Sequence, residues 1–343
     1  MLLFSNLKKF ILEGNIYLNH IDIMHHTTNI VINSSKYLPN YVLDLPVEIK
    51  YNKIIWYING KRHREGDLPA VIQYYQNGQP KKESWYKNGG RHREKDLPAD
   101  IEYYYNGQFR SQSWYQNGNV HREGDLPTVI DYYPNGQFRS QSWYQNGNVH
   151  REGDLPTVID YYPNGQLKKE TWYKKIEDYY ESSILDFYEL YREGDLPAII
   201  EYYENGQLYK ESWYKNGIKH REGDLPALIF YYGNGQPSKF SWYKKGKLHR
   251  KGDLPAEIEY YESGQPWIQR WYINGKQYRE GDLPAQIVYY ENGQPTLEFW
   301  YKKGKLHRKG DLPAGIHYYE NGQPFNKSWY IYGKLHREEN NLL

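Results

Sequence analysis

The residues best able to do chemistry recur in one cassette. His-Arg-Glu-Gly-Asp, or a close variant, places histidines at His63, His92, His121, His150, His220, His249, His307 and His336. A histidine followed by a nearby aspartate suggests a general base with an orienting carboxylate, or a ladder of metal ligands. Geometry opposes the metal. If each copy adds two strands, equivalent histidines sit roughly 10 Å apart, whereas donors to one zinc ion must each lie about 2.0–2.1 Å from it. Tyr191 and Tyr278 also stand at the histidine position with no other change around them. The cassette therefore reads as structural, an Arg–Asp and histidine hydrogen-bond ladder bracing a loop. No Gly-rich phosphate loop opens a helix and no nucleophile elbow is found. We assign no catalytic, cofactor-binding or metal-ligating residue, and an enzyme reading has no anchor.

What positions the cassette is a repeat. Asp-Leu-Pro begins at Asp44, Asp67, Asp96, Asp125, Asp154, Asp195, Asp224, Asp253, Asp282 and Asp311. Seven of the nine intervals are 29 residues; the first is 23 and the one after Asp154 is 41. Residues 108–136 and 137–165 are identical letter for letter, the mark of recent tandem duplication. Within a unit, two β-rich segments such as Ala70–Tyr75 and Lys81–Tyr86 flank Asn77-Gly78. Asn-Gly between such runs predicts a hairpin with a type I′ turn, which needs positive φ at both central residues. A second Asn-Gly after Trp-Tyr predicts a second turn in each unit. Gly-Asp-Leu-Pro predicts a loop, since proline cannot donate to a ladder and aspartate can cap a turn.

The expected fold class is all-β, an elongated antiparallel β-hairpin array in the form of a twisted meander or solenoid. Residues 1–43 match no unit and read as an N-terminal cap region covering an open sheet edge. The repeat domain is 44–343, with a short first unit at 44–66 and full units from 67 onward. An insertion at about 174–190 has Ile176, Tyr180, Ile184, Phe187 and Tyr191 near helical spacing, so a short acidic helix and an enlarged hairpin are both open. Taking two strands per unit, about twenty strands at roughly 4.8 Å give a body on the order of 90 Å long.

Composition narrows the function classes. The 343 residues carry 44 Lys plus Arg against 42 Asp plus Glu, a net +2. That balance argues against a nucleic-acid binder, which needs a basic surplus. The sequence has no cysteine, which fits a reducing compartment. No run of eighteen apolar residues could span a membrane as a helix, and the first residues lack the order of a signal peptide. The expected location is intracellular, in the cytoplasm of the producing cell or a virion.

The units compared with one another separate an inner from an outer strand face. Ile72, Ile101, Ile130, Ile159, Ile200, Ile229, Ile258, Ile287 and Ile316 never change, with Ala or Thr two residues before and Tyr two residues after. The next position does change: Gln73, Glu102, Asp131, Asp160, Glu201, Phe230, Glu259, Val288 and His317 share it. Alternation of a fixed apolar set with a varying set describes a strand with one buried face. The varying nine form the candidate partner face. One tryptophan per unit from Trp56 to Trp329, with Trp267 extra, reads first as a structural row excluding water from a thin sheet.

Trp213-Tyr214-Lys215-Asn216-Gly217-Ile218-Lys219-His220, followed by Ala227 to Tyr232 and Asn234-Gly235-Gln236, resembles the MORN-type repeat, and is closest to its variant form with Tyr-Tyr-x-Asn-Gly units. Long arrays of that kind look like those encoded by giant DNA viruses. The likeness covers roughly 47–337, and departs from the family in unit length and in an Arg after the His where the family has Gly. It implies an antiparallel sheet of stacked hairpins that serves as a scaffold for protein partners. Trp-Tyr and Tyr-Tyr-x-Asn-Gly-Gln also look like the aromatic hairpin repeats of glycan-binding modules. The expected function is a non-enzymatic scaffold for protein–protein interaction through the varying face. The alternative is a binder of anionic membrane lipid or glycan through lysines and aromatic rows.

Overall fold

In a computed structural model of the chain the described residues are 29–31, 48–50, 52–175 and 188–340, with 29–31 and 48–50 described in backbone only. Among them the structure is all-β, with no helix. The chain divides into two compact halves, residues 1–151 and 152–343. Each is an antiparallel meander of the same unit. In the first, Glu48–Lys50, Lys53–Ile55, Val71–Tyr74, Pro80–Ser84, Asp100–Tyr103, Phe109–Ser113, Val129–Tyr132 and Phe138–Ser142 pair in succession. In the second, the ladder runs in the same manner from Val158–Tyr161 to Lys334–Asn340.

Each unit turns twice, but only one turn is of the expected type. At the second turn Asn88 and Gly89 both have positive φ (53° and 92°), as a type I′ hairpin requires. At the first, Gly78 alone is left-handed, at 87°. There the Gly78 amide donates to the Tyr75 carbonyl at 3.0 Å and the Tyr75 amide to the Gln79 carbonyl at 2.8 Å. This is a type I turn closed by a left-handed glycine, the longer hairpin loop. Asn77 works through its side chain, whose Oδ1 accepts from the Gln79 amide at 3.1 Å. That local bond competes with the backbone geometry a type I′ turn would need, so the same dipeptide builds two different turns.

The tryptophan core lies on the invariant face, and the other face buries Val71, Ile199 and Leu228 with their cross-strand partners Ser84 and Ser212. Ala70, Ala99, Ala198, Ala227, Ala256, Ala285 and Ala314 have no exposed surface, and the neighbouring tryptophans are buried. One cluster joins Trp85, Ala99 and Ile101 with Tyr103 and Tyr115 packed against it; Trp213, Ala227 and Ile229 repeat it. Only a small side chain stands at this position, Ala in most units and Thr at Thr128 and Thr157, where it is equally buried. Thr128 keeps its extra hydroxyl satisfied: it donates to the Tyr144 carbonyl and accepts from the Tyr144 amide, both at 3.0 Å.

Two sequence expectations are corrected or bounded here. The insertion at 174–190 does not carry a helix at either end, because Tyr173–Lys175 pairs antiparallel with Tyr188–Leu190. The paired short hairpin after each tryptophan continues into it, and backbone groups already engaged across a ladder cannot also serve a helix. An enlarged hairpin therefore frames the insertion, and 176–187 lie outside the described residues. The cap region at 1–43 lies outside them too, except Asn29–Val31, which pairs with Glu48–Lys50.

Candidate functional site

The cassette that looked most chemical is a brace. Arg93 lies over the Trp85 ring at 3.8 Å. Its Nε and Nη2 donate to the two carboxylate oxygens of Asp67, one unit back, at 2.8 and 3.2 Å. Arg122 repeats this with Trp114 at 4.0 Å and Asp96 at 2.8 Å on both oxygens. Arg221, Arg250, Arg279 and Arg308 do the same in the second half. Hydrogen bonding by Arg holds the carboxyls of Asp125, Asp154, Asp195 and Asp253 below their usual range. A fork of donors matched to a carboxylate and stacked on an indole is what arginine does and lysine cannot.

Two of the histidines are engaged at both ring nitrogens, whereas the Nδ1 atoms of His220 and His307 are buried without a hydrogen-bond partner. His63 Nδ1 accepts from the Asn88 amide of the next unit at 3.1 Å, and His121 Nδ1 from the Asn146 amide at 3.2 Å. The proton then sits on Nε2, which faces Glu65 at 2.9 Å and Glu123 at 3.0 Å respectively. An imidazole bonded at both nitrogens, with its lone pair turned toward a backbone amide, ties successive units together and offers no lone pair to a metal. Several tyrosines two residues after the invariant isoleucine are also anchored. Tyr103 donates to Glu83, Tyr202 to Glu170 and Tyr231 to Glu211, at 2.5–2.6 Å. Burial, followed by those carboxylates, pushes these hydroxyls well above the usual tyrosine range.

The nine candidate partner-face residues lie where the alternation puts them, on the face opposite the buried tryptophans, and all are half-buried. They do not stand alone. Cross-strand register sets them between residues of the second strands, so that one half carries the row Lys53, Gln73, Lys82, Glu102, Ser111, Asp131, Ser140. The other carries Asp160, Lys169, Glu201, Lys210, Phe230, Lys239, Glu259, Ile268, Val288, Leu297, His317 and Asn326. Opposite charges neighbour one another at Lys82 and Glu102 and from Asp160 through Lys169 and Glu201 to Lys210, and several of them pair. Lys82 contacts Asp100 at 3.3 Å and Glu102 at 3.0 Å; Lys210 meets Glu201 at 2.6 Å. Lys239 and Arg270 both hold Glu257 and Glu259. Burial works against the Lys82 and Lys239 charges, but their acidic neighbours outweigh it and both pKa values are raised.

Beyond Glu259 the row turns apolar. Ile268 is buried, Val288 and Leu297 face each other, and His317 packs between Phe299 and Phe325. Burial accordingly lowers the His317 pKa. Sequence reading identified the changing first-strand position and missed its coupling to the second strand, although Glu201 and Lys210, nine residues apart, already carried that signal. It also missed an aromatic cleft beside Phe230 and the signpost leucines, of which Leu68, Leu126, Leu225 and Leu312 are 42–46% exposed. An identical residue in every unit reads as core until the structure places it outside.

Comparison with known proteins adds a family-level likeness. Residues 70–88, 157–175 and 199–217 match the MORN repeat variant. Each match begins at the first strand or the residue or two before it, and ends in the short hairpin after the tryptophan. No curated protein sequence matches the chain. Among solved structures, a chain in the crystal structure of TcdB2-TccC3-Cdc42 aligns at 11% identity and a TM-score of 0.14. The alignment spans 85% of this chain and 17% of that one, and at such a score it does not establish a shared fold. Among the described residues, no helix is long and apolar enough to cross a membrane.

Proposed function

We propose that the chain is a non-catalytic scaffold that holds protein partners on its changing strand face. Repeats similar to those matched at 70–88, 157–175 and 199–217 generally serve as scaffolds for protein and membrane contacts. One observation carries the finer reading. The same frame of Trp, Arg, Asp, His and Tyr is rebuilt in unit after unit, while the opposite face passes from paired charges to apolar side chains. A surface serving the fold alone has no need to differ from one copy to the next; a surface complementary to something irregular does.

The membrane or glycan alternative gains no observation of its own. Lys82, Lys210 and Lys239, three of the five lysines in the rows of the face, are engaged by carboxylates. The test uses the full chain and a variant carrying Glu102→Lys, Asp131→Lys and Glu201→Lys together. Affinity capture should lose specific partners in the variant, while flotation with anionic vesicles should be blank for both. Identical partners for both proteins would remove the face from the function.

A further inference from the structure

The second half carries an aromatic cleft that the frame does not need. It encloses about 380 Å³ and is lined by Tyr203, Tyr209, Phe230, Tyr232, Lys239 and Trp267 among others. The rings are set at angles to one another. Tyr209 meets Tyr203 edge-on at 4.9 Å and Phe230 at 5.6 Å, and Trp267 lies 6.1 Å from Tyr261. Trp267 is the tryptophan outside the structural row, and it is 41% exposed. The tryptophans of the row, by contrast, are only 5–8% exposed.

The tyrosines form fixed ridges. The Tyr203 hydroxyl donates to the Tyr231 carbonyl at 2.8 Å, and Tyr232, Tyr261 and Tyr290 repeat the bond to Tyr260, Tyr289 and Tyr318. Each ring is thus tied down toward the next hairpin, and little side-chain entropy remains to be lost on binding. Successive ridges are two strands apart, roughly 9.4–9.8 Å at ordinary strand spacing. A polyproline II helix advances about 3.1 Å per residue and repeats every three residues, so about 9.3 Å per turn. The two periods nearly coincide, and a proline-rich segment crossing the strands would present the same face to every ridge.

The rim sets the charge of the occupant. Glu204, Glu262 and Glu291 occupy the turn position just after Tyr203, Tyr261 and Tyr290 and are exposed, with Gly233 at that position after Tyr232. Tyr232 and Tyr261 have raised pKa values, first through burial and then through the Glu262 and Glu291 charges beside them. In the first half the same turn position holds Gln76, Tyr105 and Pro134, with no charge. Aromatic ridges at the polyproline period with an acidic rim are complementary to a basic, proline-rich strand.

We infer that Tyr203, Tyr232, Tyr261 and Tyr290, with Tyr209 and Trp267 between them, form a docking groove for a cationic proline-rich segment in the polyproline II conformation. This rests on the scaffold reading and names its partner class. The probe is a fluorescein-labelled peptide of four Pro-Pro-Arg triplets, about 37 Å long when extended, titrated into the full-length chain at physiological salt. Fluorescence anisotropy should rise and saturate. Trp267→Ala and Tyr209→Ser should each weaken binding about fivefold to tenfold, and Tyr105→Ala in the first half should leave it unchanged. Both variants should keep the wild-type circular dichroism and melting curve. Equal binding of a Gly-Ser-Arg peptide of the same length and charge, or insensitivity to both groove variants, overturns the inference. So does absence of binding, or displacement by a neutral β-linked glucose oligosaccharide. If the peptide fails while partner capture still depends on Glu102, Asp131 and Glu201, the groove is wrong and the scaffold reading stands.

Discussion

Two regions of each unit have been treated differently. The end that bears the tryptophan, arginine and aspartate repeats the same contacts at nearly the same distances, with Arg over Trp at 3.8 Å in Arg93 and again in Arg250. The opposite strand face keeps its geometry and changes its chemistry, from Lys82–Glu102 pairs in one half to Val288 beside Leu297 in the other. Repetition at the first region lets every interface between neighbouring units contribute the same stabilising term. Variation at the second is tolerated because cross-strand pairs are worth only about 0.2–1 kcal/mol each. Stability therefore lives in the frame, and specificity can be written on the face.

Breaking the frame everywhere at once should have the largest effect. Tyr103, Tyr202, Tyr231 and Tyr318 all titrate above their ordinary value because of burial and a carboxylate partner. A folded-state pKa raised above the unfolded one gives stability that is whole below about pH 10 and lost as pH rises further. Alkaline unfolding followed by far-UV circular dichroism should coincide with tyrosinate absorbance near 295 nm. Full ionisation with the β signal intact would show that these hydroxyls do not hold the fold.

Single-site changes should follow in order. Trp114→Ala empties the space over a buried neighbour and should cost about 3–5 kcal/mol in urea unfolding of the unit that carries it. Arg122→Lys keeps the charge but loses the fork on Asp96 and the stack on Trp114; a loss of about 1–2 kcal/mol is expected from the same measurement. On the face, Glu201→Gln breaks the pair with Lys210 and should change stability by less than about 1 kcal/mol. The comparison would collapse if Glu201→Gln cost as much as Trp114→Ala.

Much of this was legible in the letters. The recurring 29-residue spacing of Asp-Leu-Pro set the unit, and the fixed isoleucines beside the changing residues set the two faces, because a strand alternates its side chains with period two. The brace role of Arg, Asp and His was legible too, since substitution of His by Tyr191 and Tyr278 is incompatible with a ligand but tolerable in a packing position. The turn type at Asn77 was not, because the choice between two hairpin loops depends on where the partner strand begins. Nor was the aromatic cleft, which assembles Tyr203, Tyr209, Phe230 and Trp267 from three units and needs the cross-strand register to be seen.

The signpost loop divides the two kinds of information most clearly. The sequence alone determined that Glu-Gly-Asp-Leu-Pro must leave the ladder, through proline's missing donor and glycine's freedom at positive φ. Yet the same five residues adopt two backbones. Asp67, Asp224 and Asp282 are left-handed, at 54–56°, and their carbonyls accept the indole N–H of Trp85, Trp242 and Trp300 at 2.9–3.1 Å. Asp125 and Asp154 are not left-handed, and the Trp143 and Trp172 indole nitrogens have no partner. Lys95 shows the force of the first state: it holds a φ of 62° that a lysine adopts only under constraint. A strained dihedral and a buried indole hydrogen bond are each worth about 1–2 kcal/mol, so the two states nearly balance. Asp195, in the same five letters, is not left-handed and its carbonyl still accepts from the Trp213 indole at 3.4 Å, so the choice lies beyond the loop's own sequence.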